Sequence, residues 1–205
     1  MRLFSNTIHR NILESLLKKN LPNLKGPILD IGSKNRRYDY LLAERPTAID
    51  ITSNEKNDVI FGDMHSLPFN DFSFNSVLAV ETLEYSIDPQ QAIAEIFRVL
   101  NTGGALIMSV PFLFPSHGDS LRFTNKYLKD VLLVNFSEAT ILSIGNSTTI
   151  LLDIIRNNYF SIKNPILKYV LFPFFTLCML PVVFKRSAYH SVDRYASGYF
   201  IIARK

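Results

Sequence analysis

An α/β fold built on a parallel sheet with helices on both faces is predicted by three observations. Short apolar runs recur between residues 28 and 110 and alternate with amphipathic or turn-rich stretches. Several of these runs end at or just before an acidic residue. Glycine and proline punctuate the junctions at Gly26, Pro27, Gly32, Gly62, Gly103, Gly104 and Pro111. Strands buried on both faces read as continuous apolar runs, because helices cover each side of a parallel sheet.

The elements follow in order. Leu3 to Lys19 carries Ile8, Ile12, Leu13, Leu16 and Leu17 on one face and predicts an amphipathic helix, ended by Pro22. Strands are expected over Ile28–Ile31, Ala48–Ile51, Asp58–Phe61 and Ser76–Val80, with a short helix over Tyr38–Leu42. The clearest helix starts at Asp88, an N-cap followed by Pro89 at the first position and Gln91 placed for a capping box. Ala92, Ile93, Ile96, Phe97 and Leu100 make its apolar face, Gly103 and Gly104 stop it, and Ala105–Val110 follows as a fifth strand. Beyond Pro111 the spacing predicts a Thr124-capped helix to Val134, a strand over Glu138–Ile144 and a helix over Thr149–Asn157. An apolar stretch over Asn164–Phe184 and a terminal strand over Gly198–Ala203 complete the chain. No repeat or long linker divides it, so one domain is expected: an N-terminal helix (1–22), a ligand-binding core (27–146), an apolar insertion (160–190) and a last strand (196–205).

Composition narrows the function. With 205 residues, 47% of them hydrophobic, the chain can bury a full core and is not disordered. A lone Cys178 excludes a disulfide scaffold and a cysteine-built zinc site, and the histidines form no zinc-type pair, so no metal is expected. The net charge of +4 is spread without a like-charge block or a basic stripe, which argues against nucleic acid. The first residues lack the continuous apolar core of a leader, so a cytoplasmic location is expected.

Ligands of open α/β sheets bind beyond the carboxyl ends of the strands. There the sequence places Asp30 and Gly32, then Asp50, then Asp63 and Met64, then Glu81 and Thr82. A purely structural sheet needs no acids at these positions. Asp50 stands twenty residues beyond Asp30, the spacing at which a carboxylate accepts from a ribose diol. Each such bond is worth roughly 1.5–3 kcal/mol. Gly32 allows a tight turn against a ligand, and Asp63 can accept from an adenine amino group. No Gly-x-x-x-x-Gly-Lys loop is present, and the acids oppose a pyrophosphate. They suit a ligand that is cationic near its reacting centre, such as a sulfonium.

These segments, taken in series, resemble the class I S-adenosylmethionine-dependent methyltransferases. "ILDIGS" (28–33), "AIDI" (48–51), "GDMHSLPF" (62–69) with "DFSFNSVLAVETLEY" (71–85), and "DPQQAIAEIFRVLNTGGALIMSVP" (88–111) match that family's motifs in order. The resemblance implies a Rossmann-like, doubly wound, seven-stranded sheet whose last strand is antiparallel. The apolar segment would be a helical insertion before that strand. It implies S-adenosylmethionine as cofactor, with Asp30 and Gly32 at the methionine moiety and Asp50 at the ribose. Asp63 and Met64 would border the adenine, and Glu81 and Thr82 would face the pocket. Two departures stand out. Lys34 and Arg36 occupy positions where the family has glycines, and Tyr85 stands where a histidine is frequent.

The segment after the fifth strand, "PFLFPSHGDSLRFT" (111–124), is the natural acceptor loop. It is similar to a segment of methyltransferases associated with polysaccharide and glycolipid synthesis. His117 is the candidate base, since imidazole titrates near working pH, with Asp119 to orient it. Arg122 and Tyr85 are candidate contacts to the acceptor, Arg122 through a phosphate or carboxylate. A structural His–Asp–Arg cluster that pins the loop is the competing reading. Residues 165–184 contain Lys168 as their single charge. A full membrane crossing would put the last strand on the wrong side, and Pro173 and Pro181 oppose a straight helix. A helix or helical hairpin lying in the membrane interface, with Lys185 and Arg186 at the headgroups, is expected. The acceptor is then a sugar, glycan or lipid-linked hydroxyl. A quinone-type lipid acceptor and a non-catalytic scaffold are the alternatives. A nicotinamide enzyme fits poorly, for want of a Gly-x-Gly-x-x-Gly loop.

Overall fold

A computed structural model describes residues 6–115, 118–184 and 195–205. Seven strands form one sheet: β1 (Ile28–Ile31), β2 (Thr47–Asp50), β3 (Val59–Phe61), β4 (Phe74–Val80), β5 (Leu100–Pro111), β6 (Glu138–Ile144) and β7 (Gly198–Arg204). Their order is β3-β2-β1-β4-β5-β7-β6. The strands from β3 to β5 run parallel, and β7 is antiparallel to both of its neighbours. The helices are α1 (Ile8–Asn20), α2 (Pro89–Val99), α3 (Asn125–Tyr127), α4 (Ser147–Ser161) and α5 (Pro165–Phe184). The Rossmann-like sheet expected from the sequence, with its last strand antiparallel, is present.

Strand side chains alternate between two cores, as a two-residue period requires. Leu29, Val77, Leu106 and Met108 pack with Ile93 and Ile96 of α2. Ile28, Leu78, Ile107 and Phe200 pack with Leu13 and Leu17 of α1 and Leu152 of α4. Asp30 therefore projects toward the side that α1 covers.

Several local expectations change. Asp88 caps α2 by accepting from the Gln90 and Gln91 amides, but Gln91 reaches the His65 carbonyl, so no capping box closes. The helix ends at Val99 because Leu100 is already extended and pairs with Phe74. Gly103 and Gly104 then lie within β5, where the register shifts between Phe74 and Ser76. The Thr124-capped helix is one turn, followed by a π-helical turn over Leu128–Leu132 rather than a regular helix to Val134. The capping box occurs instead at α4, between Asn146 and Thr149.

Two contacts fix α1. Thr7 caps it, and Asp153 of α4 accepts from the Ile8 amide (2.7 Å) and the His9 amide (2.9 Å). A carboxylate at a helix N-terminus satisfies amides that have no partner within the helix. The apolar segment is a single helix through Pro173. Phe175 stacks on Tyr159 of α4, with ring centroids 4.0 Å apart, and Met179 is also buried. Among the described residues, no helix is long and apolar enough to cross a membrane.

Candidate functional site

A cleft of about 190 Å³ opens at the carboxyl ends of β1 and β4, lined by the 30–38 loop, Val80, Glu81 and Arg10 of α1. Its floor is the turn at Gly32. There φ is +75°, and a Cβ would overlap the Thr82 hydroxyl and lie 2.5 Å from its methyl group. The bare backbone at this point is therefore a requirement of the packing as well as an opening for a ligand.

Two carboxyls line the cleft. Asp30 is buried and accepts from the Ser33 hydroxyl at 2.5 Å. Burial raises its pKa to about 7, against the Ser33 bond, which favours the charged form. Glu81 sits at a left-handed φ of +50°. Its Oε1 is 2.8 Å from His9 Nε2, and its Oε2 is 3.6 Å from an Arg10 nitrogen. Such a backbone angle in a non-glycine residue persists only where the surroundings impose it.

His9 supplies much of that constraint. It is buried, and its ring lies 4.4 Å from that of Phe114 in the segment after β5. His9 Nδ1 lies 2.7 Å from Ser197 Oγ, whose hydroxyl donates to the Ile144 carbonyl, and Nε2 lies 2.8 Å from Glu81 Oε1. Arg10 also donates to the Tyr38 hydroxyl at 2.6 Å. These α1 residues were not among the sequence candidates. Their partners lie 28 to 188 positions away, at no motif spacing.

The departures from the glycine pattern are accommodated. Arg36 takes the left-handed conformation at φ +48°. Its guanidinium bonds Asp39 (2.7 Å) and the carbonyls of Asp58 (2.9 Å) and Pro46 (2.8 Å). The Lys34 carbonyl accepts from Asn54. The loop is thus clipped to the β2–β3 side by the residues that replace glycine.

The remaining cofactor candidates stand at neighbouring strand ends. Asp50 ends β2, and its Oδ1 accepts the Thr52 amide at 2.9 Å. Asp63 Oδ1 accepts from the His65 amide (2.9 Å) and ring (2.6 Å), and the amide bond leads in holding its pKa below the usual carboxylate range. Met64 is half-buried against the α2-side core. Neither Asp50, Asp63 nor Met64 lines the cleft around Asp30. Thr82 departs from its expected role. It lies outside the cleft lining, and its hydroxyl donates to the Ile31 and Val80 carbonyls, both at 3.2 Å. It braces the Gly32 turn.

On the acceptor side, His117 lies outside the described residues. Arg122 contacts Asp119 at 2.5 Å and donates to the Phe112 carbonyl at 3.1 Å, which pins the loop. Tyr85 is exposed, and burial of its hydroxyl end leads the causes that raise its pKa. Glu84, which motif reading passed over, is fully buried. Its carbonyl accepts the Ser120 and Leu121 amides at 3.0 Å each. Its side-chain oxygens have no hydrogen-bond partner among the described residues. Burial, helped by Glu81 and Asp119, raises its pKa to about 8.

Residues 29–108 match a family model described as a methyltransferase domain. A demethylmenaquinone methyltransferase from Renibacterium salmoninarum is 36% identical over 75 residues, 37% of this chain and 31% of that protein. The chain spans less than a third of the length of the curated relatives it matches first. Among solved structures, an S-adenosylmethionine-dependent methyltransferase from Thermotoga maritima, described as a possible histamine N-methyltransferase, aligns with a TM-score of 0.65. It is 17% identical, over 97% of this chain and 91% of that one. Phosphoethanolamine N-methyltransferase 2 of Haemonchus contortus, solved with S-adenosylmethionine, aligns with a TM-score of 0.59 at 16% identity, over 96% of this chain and 52% of that one. The fold is that of these methyltransferases.

Proposed function

We propose that this chain, whose residues 29–108 match a family model described as a methyltransferase domain, is an S-adenosylmethionine-dependent methyltransferase acting on an acceptor hydroxyl. The cleft at β1 and β4 carries the reading. Its bare Gly32 floor leaves room for a ligand main chain, and Asp30 and Glu81 complement a ligand bearing cationic groups. S-adenosylmethionine supplies a methyl group already activated on a sulfonium. The protein's task is to align the acceptor and receive its proton. Asp30, Gly32 and Glu81 would hold the amino-acid end, Asp50 the ribose, and Asp63 and Met64 the adenine side. Asp119 and Arg122, with His117, would serve the acceptor.

Calorimetry with S-adenosylhomocysteine tests the cofactor half. Wild-type protein is expected to bind in the micromolar range, and Asp50→Ala to bind at least ~10-fold more weakly, since bonds to a charged group are worth about 1.5–3 kcal/mol. No binding by folded wild-type protein would favour a methyltransferase-like scaffold.

The acceptor in this proposal is a sugar, glycan or lipid-linked intermediate, reached from the cytoplasmic face of a membrane. The support is α5, which presents Ile166 (75% exposed), Tyr169 (82%), Val170, Phe174 and Leu177 to the outside. Lys168 lies beside this surface, over the Tyr159 and Phe160 rings. An apolar helix face with a cation beside it suits a headgroup boundary. The protein is expected to sediment with vesicles rich in phosphatidylglycerol, and Val170→Asp with Phe174→Asp to release it. Equal recovery in the supernatant with and without vesicles would remove the membrane contact. A quinone-type lipid is the second reading, favoured by the likeness to the demethylmenaquinone methyltransferase.

A further inference from the structure

The cleft at β1 and β4 holds more cations than its two carboxyls require. Arg10, Lys34, Arg36 and Arg37 line it beside Asp30 and Glu81. Arg36 is bound to Asp39, Asp58 and Pro46, none of which lines the cleft. Arg10 differs, because its contacts stay inside. Its Nη1 donates to the Tyr38 hydroxyl at 2.6 Å and lies 3.6 Å from Glu81 Oε2. Among the described residues both contacts use this one nitrogen, which leaves the rest of the guanidinium fork to a ligand. Tyr38 lines the cleft too, and it is buried. Its oxygen accepts from Arg10, and among the described residues no acceptor takes its hydrogen. A buried hydroxyl that gives its hydrogen to nothing is uncommon. The frame that carries Arg10 is fixed. Thr7 and Asp153 hold the first turn of α1, and the preceding residue, His9, lies 2.8 Å from Glu81 Oε1. One turn of α1 thus meets both oxygens of Glu81.

We propose that Arg10 reads the carboxylate of the cofactor's amino-acid end, with the Tyr38 hydroxyl as the second donor and Glu81 receiving the neighbouring ammonium. This inference rests on the methyltransferase reading above and names the residue that decides which adenosyl ligand the cleft accepts. The amino-acid end is a zwitterion, with its ammonium and its carboxylate on one carbon. Asp30 and Glu81 answer the ammonium and repel the carboxylate, so the acids alone complement half of it. Arg10 and Glu81 stand as an opposite-charge pair 3.6 Å apart, and the zwitterion cross-pairs with them. A guanidinium meets a carboxylate with parallel N–H bonds, which an ammonium such as that of Lys34 does not supply. The Tyr38 oxygen stays on Arg10 while its hydrogen turns to the carboxylate, so the bond seen in the empty cleft is kept. A ligand without the carboxylate leaves Arg10 and Tyr38 facing a methylene. A site built around a charged partner rejects an analogue that lacks it, because its own polar groups are then left unpaired. Held on a helix that is anchored at both Asp153 and Glu81, Arg10 needs little rearrangement to bind.

The test is calorimetry on the full chain with two ligands, S-adenosylhomocysteine and its analogue without the carboxylate. Wild type is expected to bind S-adenosylhomocysteine at least ~10-fold more tightly than the analogue, since the analogue forfeits the bonds to a charged group. Arg10→Gln is expected to weaken S-adenosylhomocysteine at least ~10-fold and to change the analogue by less than about twofold, so that the preference collapses. Tyr38→Phe is expected to reduce the preference by about threefold. A merely structural role for Arg10 would weaken both ligands equally, and that outcome overturns the proposal. So does a preference that survives Arg10→Gln and disappears in Lys34→Gln, which would place the carboxylate at the loop after β1. If Arg10→Gln does not fold, Arg10→Lys answers the same question. It keeps the charge and loses the fork, and the preference is expected to fall by at least about threefold. A full preference in folded Arg10→Lys overturns the proposal. Failure of the underlying reading looks different. Wild type that binds neither ligand refutes the methyltransferase reading, whereas wild type that binds both equally refutes the role of Arg10 alone.

Discussion

Alanine at Gly32 is expected to destabilise the protein by about 3 kcal/mol and to abolish S-adenosylhomocysteine binding. Two penalties add. The backbone is left-handed at φ +75°, where a Cβ costs roughly 1–2 kcal/mol. The new Cβ would also overlap Thr82, which cannot swing away without giving up its bonds to the Ile31 and Val80 carbonyls. Overpacking of this kind costs about 1–3 kcal/mol. The relief of strain by moving the β1 turn would displace Asp30 and Ser33, and so deform the cleft. Denaturant unfolding and calorimetry measure both effects. The Gly32→Ala, Thr82→Ala double variant removes the overlap and keeps the backbone penalty. It should therefore recover about half of the lost stability. A single variant within ~0.5 kcal/mol of wild type would show that the turn yields freely.

Glu84→Gln is expected to raise thermal stability at pH 8 while leaving it nearly unchanged at pH 4. The Glu84 pKa rises from 4.5 to about 8 on folding. Below pH 4.5 the carboxyl is protonated in both states and folding carries no ionisation cost. Between pH 4.5 and 8 the unfolded chain has released this proton while the folded protein retains it. Stability from this group is thus intact at low pH and lost as pH rises toward 8. The amide does not titrate, so the variant gains on wild type across that window. The gain corresponds to about 4 kcal/mol, or a rise of roughly 8–16 °C in Tm for a chain of this size. Asp30 and Asp153, both raised by burial, give the same slope in both proteins, and the difference isolates Glu84. Equal Tm values at pH 8 would show that Glu84 is ionised and paired.

The sheet was legible because its signals are local. Apolar runs such as Ile28-Leu29 and Leu106-Ile107-Met108 are strands wherever they are covered on both faces, and Gly32 and Asp50 carry their meaning in spacing. The π turn after Tyr127 had no such signal, since the periodicity of Leu128, Leu132 and Leu133 also suits an α-helix. Lys34 and Arg36 read as defects in a glycine loop, but Arg36 found three acceptors that the chain supplies from Asp39, Pro46 and Asp58. Glu84 was hidden in the segment that carries the family pattern, because an unpaired buried carboxyl is a property of packing. His9 and Arg10 were invisible for the same reason. Nothing near residue 9 announces that its partners are Glu81 and Ser197.

The placement of α1 sets an order on synthesis. The helix is made before the sheet, yet its start is held by Asp153, 145 residues after Ile8, and His9 is held by Ser197, 188 residues later. β6 is in the same position, since among the described residues its neighbour in the sheet is β7, which is made after it. A nascent chain with β1 to β5 complete has all of the parallel pairings described here but neither the α1 wall of the cleft nor a place for β6. α1 and the residue just before β7 must meet before the cleft is complete. A ligand can therefore stabilise only a chain made through β7, and a ribosome stalled short of residue 198 holds a sheet edge at β5 open to any other strand.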